Sequence, residues 1–233
     1  MSVATEPVAT AVAASGGLPG KLLVIEGIDR SGRSTQIQLL VDWLRRHDIE
    51  PVRTDWSTSP HISKAIHKAK AAGELRPITF SLFYAADFTD RIANIVVPAL
   101  ERGEVVVADR YVYTAFARDI ARGADAGWLE TLYGFAPVPD VVFYLRVPPA
   151  VTQQRVPSTP VKAIDRYEAG LDLGLSADPA ESFQMYQQRV FDEFERLSRE
   201  YGFTVVDGDE DVDSIARQIK ARTRNILGSL LAG

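Results

Sequence analysis

Five short apolar runs recur along the chain: LLVIEG (22–27), PVRTDW (51–56), EVVVADR (104–110), PDVVFYLRV (139–147) and FTVVDG (203–208). Most are continuous rather than alternating, the pattern of strands covered on both faces. Between them the apolar period becomes helical. Ile37, Leu40, Val41 and Leu44 mark a helix over 34–47. Phe183, Tyr186, Val190, Phe194, Leu197 and Tyr201 mark another over 183–201, which Gly202 ends. The aromatic stripe on this second helix reads as a core face in preference to a ligand groove. Strands alternating with helices predict an α/β fold with a parallel sheet. No internal repeat is present. Residues 156–180 have no clean period and carry Pro, Ser and Gly, which marks a mobile excursion and a candidate lid.

Composition adds bounds. The 233 residues suffice for one good core, so residues 20–228 are expected to form a single domain. Residues 1–19 are small and apolar, lack a positively charged start and are interrupted by Glu6 and Pro7; they read as a disordered tail, not a signal peptide. The net charge of −5, with no basic run, argues against a nucleic-acid partner or a polymer substrate. The absence of cysteine excludes disulfides, thiolate metal sites and cysteine nucleophiles. No stretch is apolar and long enough to span a membrane, so the cytoplasm is the expected location. His47, His61 and His67 lack carboxylates at metal-ligand spacing, and His61, Lys64 and Lys68 read as a solvated helix face.

Candidate chemistry concentrates in EGIDRSGRST, residues 26–35. A phosphate-binding loop has a glycine, four residues, Gly-Lys, then Ser or Thr, between a strand and a helix. Gly27, Gly32 and Ser34 satisfy it, but Arg33 occupies the lysine position. The glycines let backbone N–H groups approach a polyphosphate, the helix start adds partial positive charge, and the Ser34 hydroxyl suits Mg²⁺. Arginine keeps the charge while changing reach and geometry. Two readings stand: a loop that clamps phosphate bidentately, or one that binds nucleotide but transfers phosphate slowly. Arg30 is a second cation, suited to transition-state charge or simply a solvated turn residue. Asp109 and Arg110 leave the end of the third apolar run, where open α/β sheets bind ligands. An aspartate there can hold Mg²⁺ through water and an arginine can clamp phosphate; a structural ion pair is the plain alternative.

From residue 21 to residue 220 the chain resembles the thymidylate kinase family of P-loop nucleoside monophosphate kinases. LLVIEGIDRSGRSTQ, LFYAADF, VPALERGEVVVADRY, PDVVFYLRVPPAVTQQR, DRYE (165–168) and VVDGDEDVDSIARQI carry the resemblance in order and spacing. It implies a three-layer P-loop kinase fold, with a five-stranded parallel sheet flanked by helices and a lid, assembled as a homodimer. It implies transfer of the γ-phosphoryl group of ATP, with Mg²⁺, to a small-molecule acceptor, most simply dTMP. Gly27, Ile28, Asp29, Arg30, Ser31, Gly32, Arg33, Ser34 and Thr35 would then bind ATP, with Arg155 packed on adenine. Ser34 and Asp109 would hold the metal. Arg33, Arg30, Asp29, Asp109 and Arg110 would serve catalysis. The acceptor would meet Asp29, Trp56, Tyr84, Phe88, Arg91, Arg110, Arg118 and Tyr167, with Arg166 and Tyr167 belonging to the lid.

Four departures from the family pattern stand out. Arg33 replaces the loop lysine. Phe88 stands where an arginine grips the acceptor phosphate, and Arg91 lies one helical turn on and could substitute. Arg118 and Asp119 replace an aromatic–polar pair near the acceptor base. Asp55 replaces a proline after the second strand. Three of the four lie on the acceptor side, so the sequence suggests a kept donor site and an altered acceptor site. The alternatives are a kinase of a modified nucleotide, a nucleoside or another metabolite, or a nucleotide-binding protein with weak catalysis. Trp56 reads equally as a wall of the acceptor pocket or as ordinary core.

Overall fold

The computed structural model describes residues 17–73, 75–154 and 165–231. Arg155, the 156–164 part of the candidate lid and residues 1–16 of the expected tail lie outside the described residues. All five apolar runs are strands: β1 (Lys21–Glu26), β2 (Val52–Asp55), β3 (Val105–Asp109), β4 (Val141–Arg146) and β5 (Thr204–Asp207). They form one sheet in the order β2-β3-β1-β4-β5, with every adjacent pair parallel.

The two-residue period of a strand builds the layers. Leu22, Val24, Val106, Ala108, Val142 and Tyr144 face one side of the sheet. There they meet α3 (Pro77–Arg91), α5 (Val112–Ile120) and α8 (Pro179–Glu200). Leu23, Ile25, Val105, Val107, Phe143 and Leu145 face the other side, against α1 (Arg33–Arg45) and α9 (Val212–Leu227). Leu22 through Ile25 are fully buried, which explains why β1 reads as an unbroken apolar run. A third, smaller cluster joins Ile66 of α2 (Ser63–Ala72) to Leu75, Phe80, Tyr84 and Tyr167. Lys64 and Lys68 of α2 are exposed, as a solvated face requires.

One helix boundary departs from the sequence reading. The 183–201 helix starts at Pro179, inside the stretch read as a lid. Asp178 is its N-cap and accepts from the N–H groups of Ala180 (2.8 Å) and Glu181 (2.9 Å). An aspartate followed by proline is a strong helix start. Beyond α3 the chain continues through a wide π-type turn, Ile92–Val96, into α4 (Val97–Glu101). Pro98 sits at the start of α4, and the widened turn accommodates the hydrogen bond that proline cannot make. Two further helices are short: α6 (Ala126–Tyr133) and α7 (Pro149–Gln154). No helix among the described residues is long and apolar enough to cross a membrane.

Candidate active site

The loop between β1 and α1 depends on two glycines. Gly27 has φ of 150°, and a Cβ there would stand 2.8 Å from the Ser31 hydroxyl and 2.9 Å from the Leu145 carbonyl oxygen. Gly32 caps α1 with φ of 94°, in the left-handed region that L side chains avoid. Ser34 and Thr35, on the first turn of α1, are exposed, whereas Ile28 and Ser31 are buried in the loop's own packing. Two arginines also hold left-handed backbone, Arg30 (φ 66°) and Arg110 (φ 71°). Such conformations in non-glycine residues are costly and collect at functional sites.

Side chains from β1, β3, α5 and α8 converge beside the loop. The Asp29 carboxylate accepts from Arg118 Nη2 at 2.8 and 2.9 Å, from Arg110 Nη2, and from Gln187 Nε2 at 3.1 Å. Burial by itself would raise the Asp29 carboxyl, but Arg118, then Arg110 and Arg33, hold it well below the ordinary carboxylate range. Arg110 also reaches Thr114 Oγ1 at 3.2 Å and the Gly27 carbonyl at 3.4 Å. Burial, with Arg33 and Arg118 nearby, lowers its guanidinium to about 10, so it stays cationic at neutral pH. Arg33 is ion-paired with Asp109 at 2.9 Å. Arg30 turns away from this group, and its guanidinium lies 5.0 Å from the ring centroid of Phe183 on α8.

Glu26 received no role in the sequence reading, yet it organises the site. It is fully buried at the end of β1 and accepts from the N–H groups of Tyr111 (2.7 Å) and Thr114 (3.1 Å) and from the Thr114 hydroxyl (2.6 Å). Burial pushes its carboxyl up, and these donors oppose the rise. The carboxylate thus fixes the start of α5, which carries Arg118, against the loop. Its signal was a charged residue closing an otherwise apolar run. The only signal at Gln187 is a polar position one turn after Phe183. Arg122 had no signal at all. It donates to the Tyr186 hydroxyl, the Tyr167 carbonyl, the Arg118 carbonyl (3.2 Å) and Asp172 (3.4 Å), tying segment 165–173 to α5 and α8.

The acceptor-side residues divide into three groups. Trp56, Tyr84 and Arg118 line a cleft with Phe80, Thr114, Ala115 and Asp119. The cleft holds only about 10 Å³, close to the room one water needs. Phe88 and Arg91 stand behind this wall rather than in it. Phe88 is fully buried among Trp56, Tyr111, Tyr133 and Phe135. Arg91, also buried, is held by Asp87 (2.9 Å) and Thr54 Oγ1 (2.8 Å). In this conformation neither presents itself to an acceptor phosphate. Tyr167 is buried too, and its hydroxyl accepts from the Leu75 N–H at 3.0 Å. A roomier cavity of about 630 Å³ lies to the side, between the start of α3 and the end of α5, away from the loop; Asp119 borders both spaces.

Asp119 gives a pH prediction. It is buried, and burial first of all pushes its carboxyl up to about 6, against the hydrogen bond from Ser81 and the charge of Arg122. The folded state therefore holds this proton more tightly than the unfolded chain does. Its contribution favours folding at low pH and is lost as pH rises through about 6. The gap from an ordinary carboxyl corresponds to roughly 3 kcal/mol at most. Asp119→Asn is expected to gain about 1–3 kcal/mol on the wild type between about pH 4 and pH 7. Urea unfolding at both pH values measures the gain; a stability difference that does not change with pH would contradict it.

A parallel α/β sheet with a glycine-rich strand–loop–helix turn, and cations gathered at the carboxyl ends of β1 and β3, defines a P-loop nucleotide-binding protein. The thymidylate kinase family model matches residues 25–219. The probable thymidylate kinase 2 of Saccharolobus solfataricus is 39% identical, over 91% of this chain and 97% of its own length. The probable thymidylate kinase of Thermococcus kodakarensis is 31% identical, over 88% of this chain and 98% of its own. The thymidylate kinase of Prochlorococcus marinus is 27% identical, over 91% and 98%. The chain belongs to the thymidylate kinase family.

Proposed function

We propose that this protein transfers the γ-phosphoryl group of ATP to dTMP. The observation that carries the reading is the junction of the glycine-rich loop with the Asp29–Arg110–Arg118 cluster, whose two cations beside the loop support a meeting of two phosphate groups there. The activity named for the full-length relatives supports dTMP over a different acceptor.

In the reaction the bond from Pγ to the β–γ bridging oxygen breaks. A bond from Pγ to an oxygen of the acceptor 5′-phosphate forms, and ADP leaves. The protein supplies alignment and charge. Backbone N–H groups of residues 27–35 cradle the donor phosphates, and Arg110 and Arg118 flank the acceptor side. Arg30, with its guanidinium on Phe183, serves the donor side together with Arg155. Segment 165–173, held by Lys70–Asp165 (3.2 Å), Tyr167 and Arg122, would be the anchored part of a water-excluding lid that ends before α8 begins at Pro179.

Ser34 and Asp109 would hold Mg²⁺: both are hard oxygen donors, Ser34 exposed on the first turn of α1 and Asp109 at the end of β3. When bound, the ion neutralises charge on the donor phosphates. We also propose a homodimer. Ile78 and Leu82, one turn apart on α3, are 66% and 48% exposed and offer an apolar face. A cytoplasmic location accords with nucleotide substrates.

The test is product analysis. Purified protein with Mg²⁺–ATP and dTMP is expected to form dTDP in step with ADP, and more slowly with thymidine or dCMP as acceptor. Bound ATP with no dTDP formed would sink the reading.

A further inference from the structure

The loop cation Arg33 is folded inward. Its Nη1 donates to the carbonyl oxygens of Gly27 (2.6 Å) and Ile28 (2.7 Å), and its Nε donates to Asp109 Oδ1 (2.9 Å). Both side chains are largely buried, Arg33 at 10% exposure and Asp109 at 15%. A lysine has one nitrogen and cannot bind two carbonyls and a carboxylate through separate, fixed atoms; the guanidinium fork can. Asp109 is also the carboxylate that the proposed reaction needs for its metal. One side chain therefore has two claimants, and both cannot hold it in the same way.

The neighbourhood sharpens the conflict. Asp55 is the register partner of Asp109 on the adjacent strand, and the two border the same groove. Carboxylates side by side at two strand ends repel unless a cation lies between or beside them. Arg33 makes the direct ion pair with Asp109, while Arg110 is engaged by Asp29. When Arg33 leaves, the two carboxylates face each other without it, which strengthens their pull on a divalent cation.

Resting on the kinase reading above, we infer that Arg33 is a positioning residue that exchanges Asp109 for nucleotide phosphate. Without nucleotide, Arg33 holds Asp109 and keeps the loop collapsed on its own carbonyls. When a polyphosphate enters the loop, its oxygens take over the guanidinium, and Asp109 is released for the metal. Phosphate binding and divalent-cation binding are coupled through this one side chain. The arginine at the lysine position thus makes the carboxylate available only once nucleotide has arrived.

A double-mutant cycle on ADP binding, measured by calorimetry in EDTA, tests the exchange without turnover. With Arg33 present, Asp109→Asn removes the partner that has to be displaced, and metal-free ADP is expected to bind about ten-fold tighter. In the R33Q background the same substitution is expected to change affinity by less than about two-fold. Equal gains in both backgrounds would mean simple charge repulsion and would overturn the exchange while leaving the kinase reading intact. Failure of all four proteins to bind ADP would overturn the nucleotide site and the exchange together. The wild-type chain supplies a second readout. The ¹⁵N resonance of Arg33 Nε, assigned by its loss in R33Q, is expected to shift when ADP is added in EDTA. A resonance unmoved at ADP saturation would overturn the proposal.

Discussion

Replacing Asp87 with alanine is expected to destabilise the protein by about 3–5 kcal/mol, the cost of leaving a buried charge without its partner. Asp87 is fully buried on α3. It accepts from Arg91 Nε at 2.9 Å and from the backbone N–H groups of Ser57 (3.1 Å) and Ser59 (2.9 Å). It therefore anchors both the buried arginine and the turn after β2. The Arg91 guanidinium lies 5.6 Å from the Trp56 ring centroid and 5.4 Å from that of Phe88. Among the described residues its Nη2 has no hydrogen-bond partner. Without Asp87, only Thr54 and two aromatic faces would remain to stabilise the cation. Adding Arg91→Met is expected to restore the part of the loss due to the stranded cation, because an apolar side chain of similar length needs no counter-ion, while the Ser57 and Ser59 N–H groups still lack their acceptor. Urea unfolding of the single and double variants measures both effects. A loss below about 1 kcal/mol in Asp87→Ala would show that the pair does not buttress α3 and the turn after β2.

The same pair shows where the sequence was legible and where it was not. The five strands could be read because parallel strands are buried on both faces and need unbroken apolar runs. The loop could be read because glycines at fixed spacing have a steric cause, which the crowding at Gly27 makes visible. Arg91 could not be placed from its type alone. Its i,i+4 relation to Asp87 was present in the sequence, yet whether such a pair faces solvent or the core depends on what covers it. Here Trp56 and Phe88 cover it, from elements about 30 residues apart. Tyr167 was read as a lid and acceptor residue, but the use of its hydroxyl by the Leu75 N–H, a contact spanning 92 positions, could not be read. Glu26 was in plain view, but its partners at the start of α5 lie 85 and 88 residues away. Arg118 looked like a change at the acceptor base. It does line the cleft with Trp56 and Tyr84, but its pairing with Asp29, 89 positions away, was not legible.

The largest effect on turnover is expected from Arg110→Ala, which should lower kcat by roughly 10²–10³-fold, the range found when one preorganised donor to developing charge is removed. Three features single out this residue. Its backbone is held in the left-handed region directly after β3, so its position is set by the strand rather than by side-chain flexibility. Its guanidinium spans Asp29, Thr114 and the Gly27 carbonyl, joining the loop to α5. It stays charged although largely buried, because Asp29 and Glu26 partly offset burial and the repulsion of Arg33 and Arg118. Asp29 would retain Arg118 and Gln187 in the variant, so the fold should survive and the loss should appear in catalysis. Arg110→Lys keeps the charge but lacks the fork, and is expected to recover less than about ten-fold of the loss. Steady-state kinetics at saturating ATP, with a thermal melt of each variant, separates catalytic from structural damage. A kcat within about three-fold of wild type for a folded Arg110→Ala protein would remove Arg110 from the reaction and leave it as a strut between loop and helix.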